Sequence, residues 1–432
     1  MSIYNLISFI GIFLIIGIGW IFSTNRKNMN WIVVLWGIGL QMAFALFVFV
    51  IPAGAKVFTF LNGVVVKLLD SAASGASFLF GPLAIPPGNS GSVGFILAFQ
   101  AFPTIVFFSA LMAVLYYLNI MPLLIRGFAR IFTGLMKISG AESLCTAANI
   151  FVGIESNLTI KPHIEEMTKS ELGLVLVSGM ATVASNVLAL YVFTLKGYFP
   201  TIAGHLISAS LLAAPAAIVM AKVVMPEDEV PKTLGKHINP HYDKESNIFE
   251  AIINGSMAGA RMILGIAALL LSVLGLVAML DLVLGACGVR LNGILHISMD
   301  WSLKGLLGYL FYPITVILGV PFSDVPLMAR LIGERMVVTE VTSYKDLASA
   351  LAQGQIHNFR SAVIGTYALC GFAHFASMAI FVGGTASLAP KQLPVLSKIA
   401  FRALIAATLA CLMTACVAGT FLTDSSVLLG GR

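Results

Sequence analysis

Long uncharged stretches dominate the chain and set its plan. Nearly or wholly uncharged apolar runs occupy 3–22, 31–55, 95–125, 172–195, 198–221, 262–280, 305–323, 361–390 and 403–423. Crossing the hydrocarbon core as a helix takes about 20 apolar residues, so these runs predict a bundle of spanning helices. No alternating pattern points to a barrel. Backbone groups in lipid must be satisfied internally, which makes the expected fold all-α and polytopic. Other regions resist a plain spanning helix. Residues 56–94 join an amphipathic piece, Val57 to Leu69, to the Gly/Ser/Pro-rich stretch Ser71 to Gly94. Arg126 to Lys137 reads as an amphipathic helix lying along the interface. Residues 141–171 and 324–360 are intermediate in polarity, as two half-helices folded into a re-entrant hairpin would be.

Each of those last two regions precedes the same small-residue pattern. Gly179-Met-Ala-Thr-Val-Ala-Ser185 and Gly371-Phe-Ala-His-Phe-Ala-Ser377 lie 192 residues apart. Upstream of each is a glutamate in apolar surroundings, Glu155 and Glu340. A carboxylate inside a bilayer costs roughly 2.5–3.5 kcal/mol by insertion scales and therefore faces a cavity or pathway. Two such units predict the internal repeat of a secondary transporter, with substrate held between the halves.

Composition agrees. Hydrophobic residues make up 59% of the chain and charged residues 10%, with a mean hydropathy of +0.97, far from a soluble domain. Met1 to Asn5 carries no basic n-region and no small-residue cleavage site follows, so the first helix is expected to remain as an anchor. Arg26 and Lys27 place the loop after it in the cytoplasm by the positive-inside rule. The net charge of +6 fits this loop bias and contact with anionic lipid headgroups; scattered basic residues do not fit a nucleic-acid partner. Cys145, Cys287, Cys370, Cys411 and Cys416 have no metal-like spacing and read as small buried hydrophobes. Pro226 to Asn247, with His237, His241 and Asp243-Lys-Glu245, is the longest solvated loop, a linker between halves. Glu142 and Glu171 are read as capping helices or pairing at the interface, His205 as a packing residue, and Pro103, Pro215 and Pro313 as kinks.

At this point the chain resembles the concentrative nucleoside transporters, the bacterial NupC-like group. The resemblance runs over nearly the whole length. It is carried by Phe78-Leu-Phe-Gly81, Phe95-Ile-Leu-Ala-Phe99, Ala141-Glu-Ser143, Ala147-Ala-Asn-Ile-Phe-Val-Gly153, Met167-Thr-Lys-Ser-Glu-Leu172, Gly319-Val-Pro321, Ala368-Leu-Cys-Gly-Phe-Ala373 and Leu388-Ala-Pro390. It implies a homotrimer in the bacterial inner membrane, each protomer with about eight spanning helices and two re-entrant hairpins in an inverted repeat. It also implies that a nucleoside binds between the hairpin tips and two partly unwound helices, its import driven by a sodium or proton gradient. The expected organisation is residues 1–140 as spanning and interfacial helices, partly scaffold, then 141–225 as first hairpin and first transport repeat. Residues 226–260 are then a solvated linker with an interfacial helix, and 261–432 a scaffold helix, second hairpin and second repeat.

Carried over position by position, the resemblance implies substrate contacts at Gly153, Ile154, Glu155 and Ser156 in the first hairpin tip. In the second half it implies Thr339, Glu340, Phe372, His374 and Ser377. The first tip departs from the family's Gly-Gln-Thr/Ser-Glu: Ile154 replaces glutamine and the glutamate comes one place early, which puts base recognition in play. Glu340 falls where a carboxylate accepts from two ribose hydroxyls, with His374 in place of the usual asparagine. Phe372 lies where the family sets an aromatic ring against the nucleoside. The family's cation positions fall on Asn149, Val152, Glu155, Thr182 and Val183; hard cations favour such oxygen ligands, and a proton on Glu155 is the alternative. No cofactor is expected beyond the coupling Na+ or H+. A competing class, an intramembrane serine protease, rests on Gly88-Asn-Ser-Gly91, which lacks a base to activate the serine. A channel is the third option, and paired broken-helix sites fit alternating access better.

Overall fold

Apolar runs become helices in the computed structural model, which describes residues 2–87, 89–242 and 245–423 and, of Leu295, the backbone alone. Gly88 of the G-x-S-G stretch, Asp243 and Lys244 of the linker, and the end of the 261–432 unit lie outside the described residues. The order is α1 (Ile3–Ile21), α2 (Trp31–Phe49), α3 (Pro52–Phe80), the single turn α4 (Leu97–Gln100), α5 (Phe102–Tyr117) and α6 (Ile120–Ile131). The first hairpin and its partner follow as α7 (Gly140–Asn149), α8 (Lys169–Ala181) and α9 (Ser185–Leu195), then α10 (Ile202–Val224). The second half is α11 (Ile248–Leu295), α12 (Leu303–Ile317), α13 (Val325–Val337), α14 (Glu340–Ala352), α15 (Phe359–Leu369), α16 (Phe375–Leu388) and α17 (Leu393–Phe421). Among the described residues there is no strand, and eight helical stretches are long and apolar enough to cross a membrane.

Several expectations from the sequence are corrected. Ser71 does not open a loop: α3 runs on to Phe80 and, with the turn that follows, makes a candidate span. Small residues tolerate this, and Ser71 returns its hydroxyl to the Lys67 carbonyl at 3.0 Å. The helix stops at Gly81, whose φ of +51° suits glycine, followed by Pro82. Gln100 then staples the loop, its amide donating to Leu83, Ile85 and Gly94 carbonyls. The run 262–280 is the middle of a 48-residue helix that absorbs the expected interfacial piece, and 305–323 yields only the 15-residue α12. Pro103 sits in the first turn of α5, where a missing N–H costs nothing, rather than at a kink. Pro215 and Pro313 do lie inside α10 and α12.

Burial separates the helices. The α8–α9 stretch, α10 and α17 have 89% of their most apolar windows buried, whereas α11 has 6%. The centre is dominated by alanine, leucine and valine at close packing. Exposed Leu264, Leu271, Leu282 and Val289 leave α11 an apolar outer face. One end of the core is fixed by two capping boxes, Ser139 with Glu142 on α7 and Thr168 with Glu171 on α8. Between them the buried Lys222 of α10 pairs with Glu142 and donates to Ser170 at 2.9 Å. His205 is buried among Phe49, Phe199 and Tyr367. The basic loop and the linker meet at this same end: Thr24 N–H donates to the Val224 carbonyl and the Asn28 side chain to Asp228.

Candidate functional site

The repeated small-residue pattern is where two helices break. The first break is extended backbone between α8 and α9, with Thr182 at φ −106°, ψ 171° and Ala184 at φ −65°, ψ 141°. The second spans Cys370 to His374, between α15 and α16, with Gly371 at φ +150°. The glycines of the pattern are the points where one repeat touches the other. A Cβ on Gly179 would meet the Phe381 ring at 2.1 Å, and one on Gly371 would meet the Ala181 carbonyl oxygen at 2.7 Å and Cys411 Sγ at 2.6 Å. The Cys411 thiol, from α17, lies 3.6 Å from the Ala181 oxygen and 3.5 Å from that of Cys370. The two breaks therefore cross with little but a sulfur between them.

Each hairpin tip reaches the opposite half or its own break. In the first, α7 ends at Asn149 and the return arm is 3-10, Ile154–Ile160. Phe151 offers its carbonyl to the N–H and hydroxyl of Ser185, at 2.9 and 2.8 Å, and Asn157 donates to Thr385 of α16 at 2.8 Å. In the second, α13 and α14 are both α-helical and the turn is Val338-Thr339.

A cavity of about 140 Å³ lies between the tips and the breaks, touched by Gly153, Ile154, Glu155, Thr339, Glu340, Phe372, His374 and Ser377. Its remaining walls are mostly apolar and include Val187, Phe381 and, from α11, Met262, Ile266 and Leu269. Glu340 is 3% exposed. Its Oε1 accepts from the Tyr191 hydroxyl at 2.7 Å, and Tyr191 stacks on Tyr344 at 4.4 Å between centroids. His374 Nε2 lies 2.9 Å from Oε2, off the line of a well-formed hydrogen bond, so Oε2 keeps acceptor capacity. His374 also caps α16, its Nδ1 accepting from Ser377 N–H at 3.2 Å. An accepting Nδ1 leaves the proton on Nε2, so this network assigns a neutral imidazole with its donor toward Glu340. Asparagine and histidine side chains alike can supply an acceptor for such a cap and a donor beyond it.

Not every residue read from the sequence faces the cavity in the same way. The Thr339 hydroxyl is buried and unpaired beside Glu340. Ser377 spends its hydroxyl on the carbonyls of Phe372 and His374. Ser156 turns away into the hairpin, fully buried near Cys145 and Asn157. Ile154 seats against the bare Cα of Gly384, where a Cβ would lie 2.6 Å from it. Glu155 is exposed and borders both this cavity and a larger one of about 370 Å³. The larger cavity reaches the linker at His241, Tyr242 and Glu245, so it opens toward the end that carries Arg26 and Lys27. Of the cation positions, Asn149 keeps an unpaired buried Oδ1 while its amide donates to Ser178 at 3.1 Å. Thr182 donates to the Ser178 carbonyl at 2.8 Å, Val183 is buried in the break, and Val152 borders the larger cavity. The side-chain oxygens at these positions are Asn149 Oδ1 and the Thr182 hydroxyl, the kind of donor a hard monovalent ion takes. Among the described residues no group of three or more histidines, cysteines and carboxylates could hold a metal. Sequence reading missed Tyr191, six places beyond the Ser185 that closes the first pattern, and the α11 wall. Ser90 of the protease-like stretch sits in an exposed loop.

Three family descriptions match in tandem: Na+ dependent nucleoside transporter N-terminus over residues 10–83, nucleoside recognition (Gate) over 98–197, and Na+ dependent nucleoside transporter C-terminus over 205–419. The chain is 36% identical to the uncharacterized transporter YutK of Bacillus subtilis, covering 96% of this chain and 98% of that one. It is 33% identical to the nucleoside permease NupC of Helicobacter pylori, covering 98% and 99%. With mouse solute carrier family 28 member 3 it shares 34% identity over 98% of its own length but spans only 60% of that longer protein. Among solved structures it resembles CNTnw in an inward-facing substrate-bound state (TM-score 0.85, 34% identity, 96% and 98% covered). A CNTnw variant in an outward-facing state gives a TM-score of 0.86 with 33% identity, covering 97% and 98%.

Proposed function

The chain belongs to the concentrative nucleoside transporter family, and on that premise we propose that it imports nucleosides across the bacterial inner membrane as a cation-coupled symporter. The observation that carries this reading is the buried Glu340, held by Tyr191 and beside His374, with one oxygen unspent in a cavity that both repeats wall. Oε2 accepts from the vicinal hydroxyls of a ribose, the His374 Nε2–H donates to one of them, and Phe372 covers the apolar face of the solute. The base then points toward the first tip. The larger cavity gives this conformation an exit toward the basic loop, the cytoplasmic end by charge bias. Alternating access follows when the two hairpins and their broken helices shift against a scaffold that includes α5 and α11. The exposed apolar length of α11 supports a homotrimeric scaffold in lipid.

Coupling is assigned to the first repeat. Asn149, Val152, Thr182 and Val183 supply oxygens for sodium, and Glu155 either ligates it or takes a proton in its stead. Uptake into proteoliposomes, measured with sodium removed and again with the proton gradient collapsed, tests this; uptake indifferent to both removes coupling from the proposal. A second reading, a modified nucleoside or another ribose-bearing solute, is favoured by Ile154, which offers the base end an alkyl surface packed on Gly384. Competition of uridine and adenosine uptake by nucleosides, free bases and ribose distinguishes the two.

A further inference from the structure

One charged side chain in the second repeat has no task in the transport scheme. Arg335, near the end of α13, is 0% exposed. Among the described residues it forms no ion pair with a carboxylate: its neighbour Glu334 pairs instead with Lys304. Its Nη1 donates to the Ala368 carbonyl at 2.6 Å and the guanidinium lies beside the Cys411 thiol, whereas Nε and Nη2 have no oxygen partner. A guanidinium taken out of water needs compensating negative charge. Here that charge is the end of a broken helix. α15 stops at Leu369, so the carbonyls of its last turn lack helical partners and carry the negative end of its dipole. Tyr344 meets the Thr366 carbonyl at 2.8 Å, Arg335 meets that of Ala368, and Cys411 lies near that of Cys370.

The first repeat has no such cation. Ser139 stands before α7 as Asp324 stands before α13; counted from these two residues, Arg335 falls on Ile150, next to Asn149. The end of α8 is met by Cys411 and by the hydroxyl of its own Thr182, and Asn149 Oδ1 is left unpaired. The place that holds a guanidinium in one half is therefore uncharged in the other.

We propose that Arg335 is a tethered cation, the fixed counterpart in the second repeat of the ion that the first repeat binds and carries. It neutralises the α15 terminus permanently, so this pair of broken helices needs one mobile ion per cycle rather than two. The proposal rests on the cation-coupled reading above. Arg335 is a positioning residue: it touches neither solute nor cavity.

The test compares wild type, Arg335→Ala, Arg335→Met and Arg335→Lys in proteoliposomes, with nucleoside uptake followed against coupling-ion concentration and with guanidinium chloride as the added probe. Arg335→Ala is expected to lower uptake at least about 20-fold. About 20 mM guanidinium, far below denaturing levels, is expected to restore it about fivefold or more and to leave wild type unchanged. Without guanidinium, the coupling ion's Hill coefficient rises from near one to near two as a second ion fills the vacated place. Arg335→Lys, which keeps the charge, stays within about threefold of wild type. Uptake by Arg335→Ala that is normal, or that is lost and indifferent to both guanidinium and the coupling ion, overturns the proposal. Should Arg335→Ala fail to fold, Arg335→Met decides: normal uptake with an unchanged ion response overturns the idea, and loss alongside an active Arg335→Lys supports it. If wild type carries no nucleoside, the transport reading itself falls, an outcome separate from failure of the tethered cation.

Discussion

The two repeats share an architecture and differ in how their carboxylates are held. Glu340 is enclosed, fixed by Tyr191 and placed beside a histidine whose tautomer is set by a helix cap. Glu155 is exposed at the meeting of two cavities, and among the described residues no lysine, arginine or histidine forms an ion pair with it. The arms differ in the same sense: two 13-residue α-helices in the second hairpin, against a 10-residue helix and a 3-10 return in the first. A preorganised carboxylate suits recognition of a constant group such as a sugar. A less constrained tip suits the part of the solute that varies, and the ion that comes and goes.

This contrast is broken or sharpened most strongly at Glu340. Glu340→Gln removes the charge beside His374 that the proposed function sets against ribose hydroxyls, and uptake should fall by about a hundredfold or more without loss of expression; near-normal uptake would erase the distinction between the tips. Gly371→Ala should destabilise the fold by about 3 kcal/mol, since a Cβ there meets a backbone oxygen at 2.7 Å under a φ of +150°. Gly383→Ala, with nothing within 4 Å, is the matched control, and thermal unfolding in detergent compares them. At His374, replacement by Ala should cost about tenfold in uptake and replacement by Asn much less, because Asn retains both a cap acceptor and a donor. Ile154→Gln should alter the ratio of purine to pyrimidine uptake by about threefold to tenfold, leaving ribose dependence intact.

The smallest effect concerns pH. Burial alone would raise the Asp324 carboxyl, but hydrogen bonds from Ser361 and His357 outweigh it and hold the group below the usual aspartate range. A depressed value adds stability above the unfolded pKa of about 3.9 and loses it as pH falls through the native one. Acid should therefore loosen the base of the second hairpin as this carboxylate takes a proton, and hydrogen exchange of α13 at falling pH reads it.

How much of this was legible in the sequence depended on what each residue is paired with. The repeat was visible because small residues recur wherever two backbones approach, and Gly179 and Gly371 do just that. Glu340 stood out as a costly charge in apolar sequence. Tyr191 did not, because an aromatic in an apolar helix is indistinguishable from core filler until its hydroxyl finds a partner. Ser71 to Phe80 resembled a loop since glycine and serine lower helix propensity, and only packing and local back-bonding carried α3 through. Ser156 was grouped with its neighbours along the chain, but a 3-10 arm turns adjacent side chains to different faces.

The contact of Gly371 with Ala181 bears on what moves. Two peptide units packed against one sulfur leave no room to close further, so neither broken helix can bend toward the other alone. The expected behaviour is that they travel together, with access to the solute changing at the hairpins or at the outer edge of the pair. Probes on Ala181 and Gly371 would keep a constant separation through every stage of the cycle.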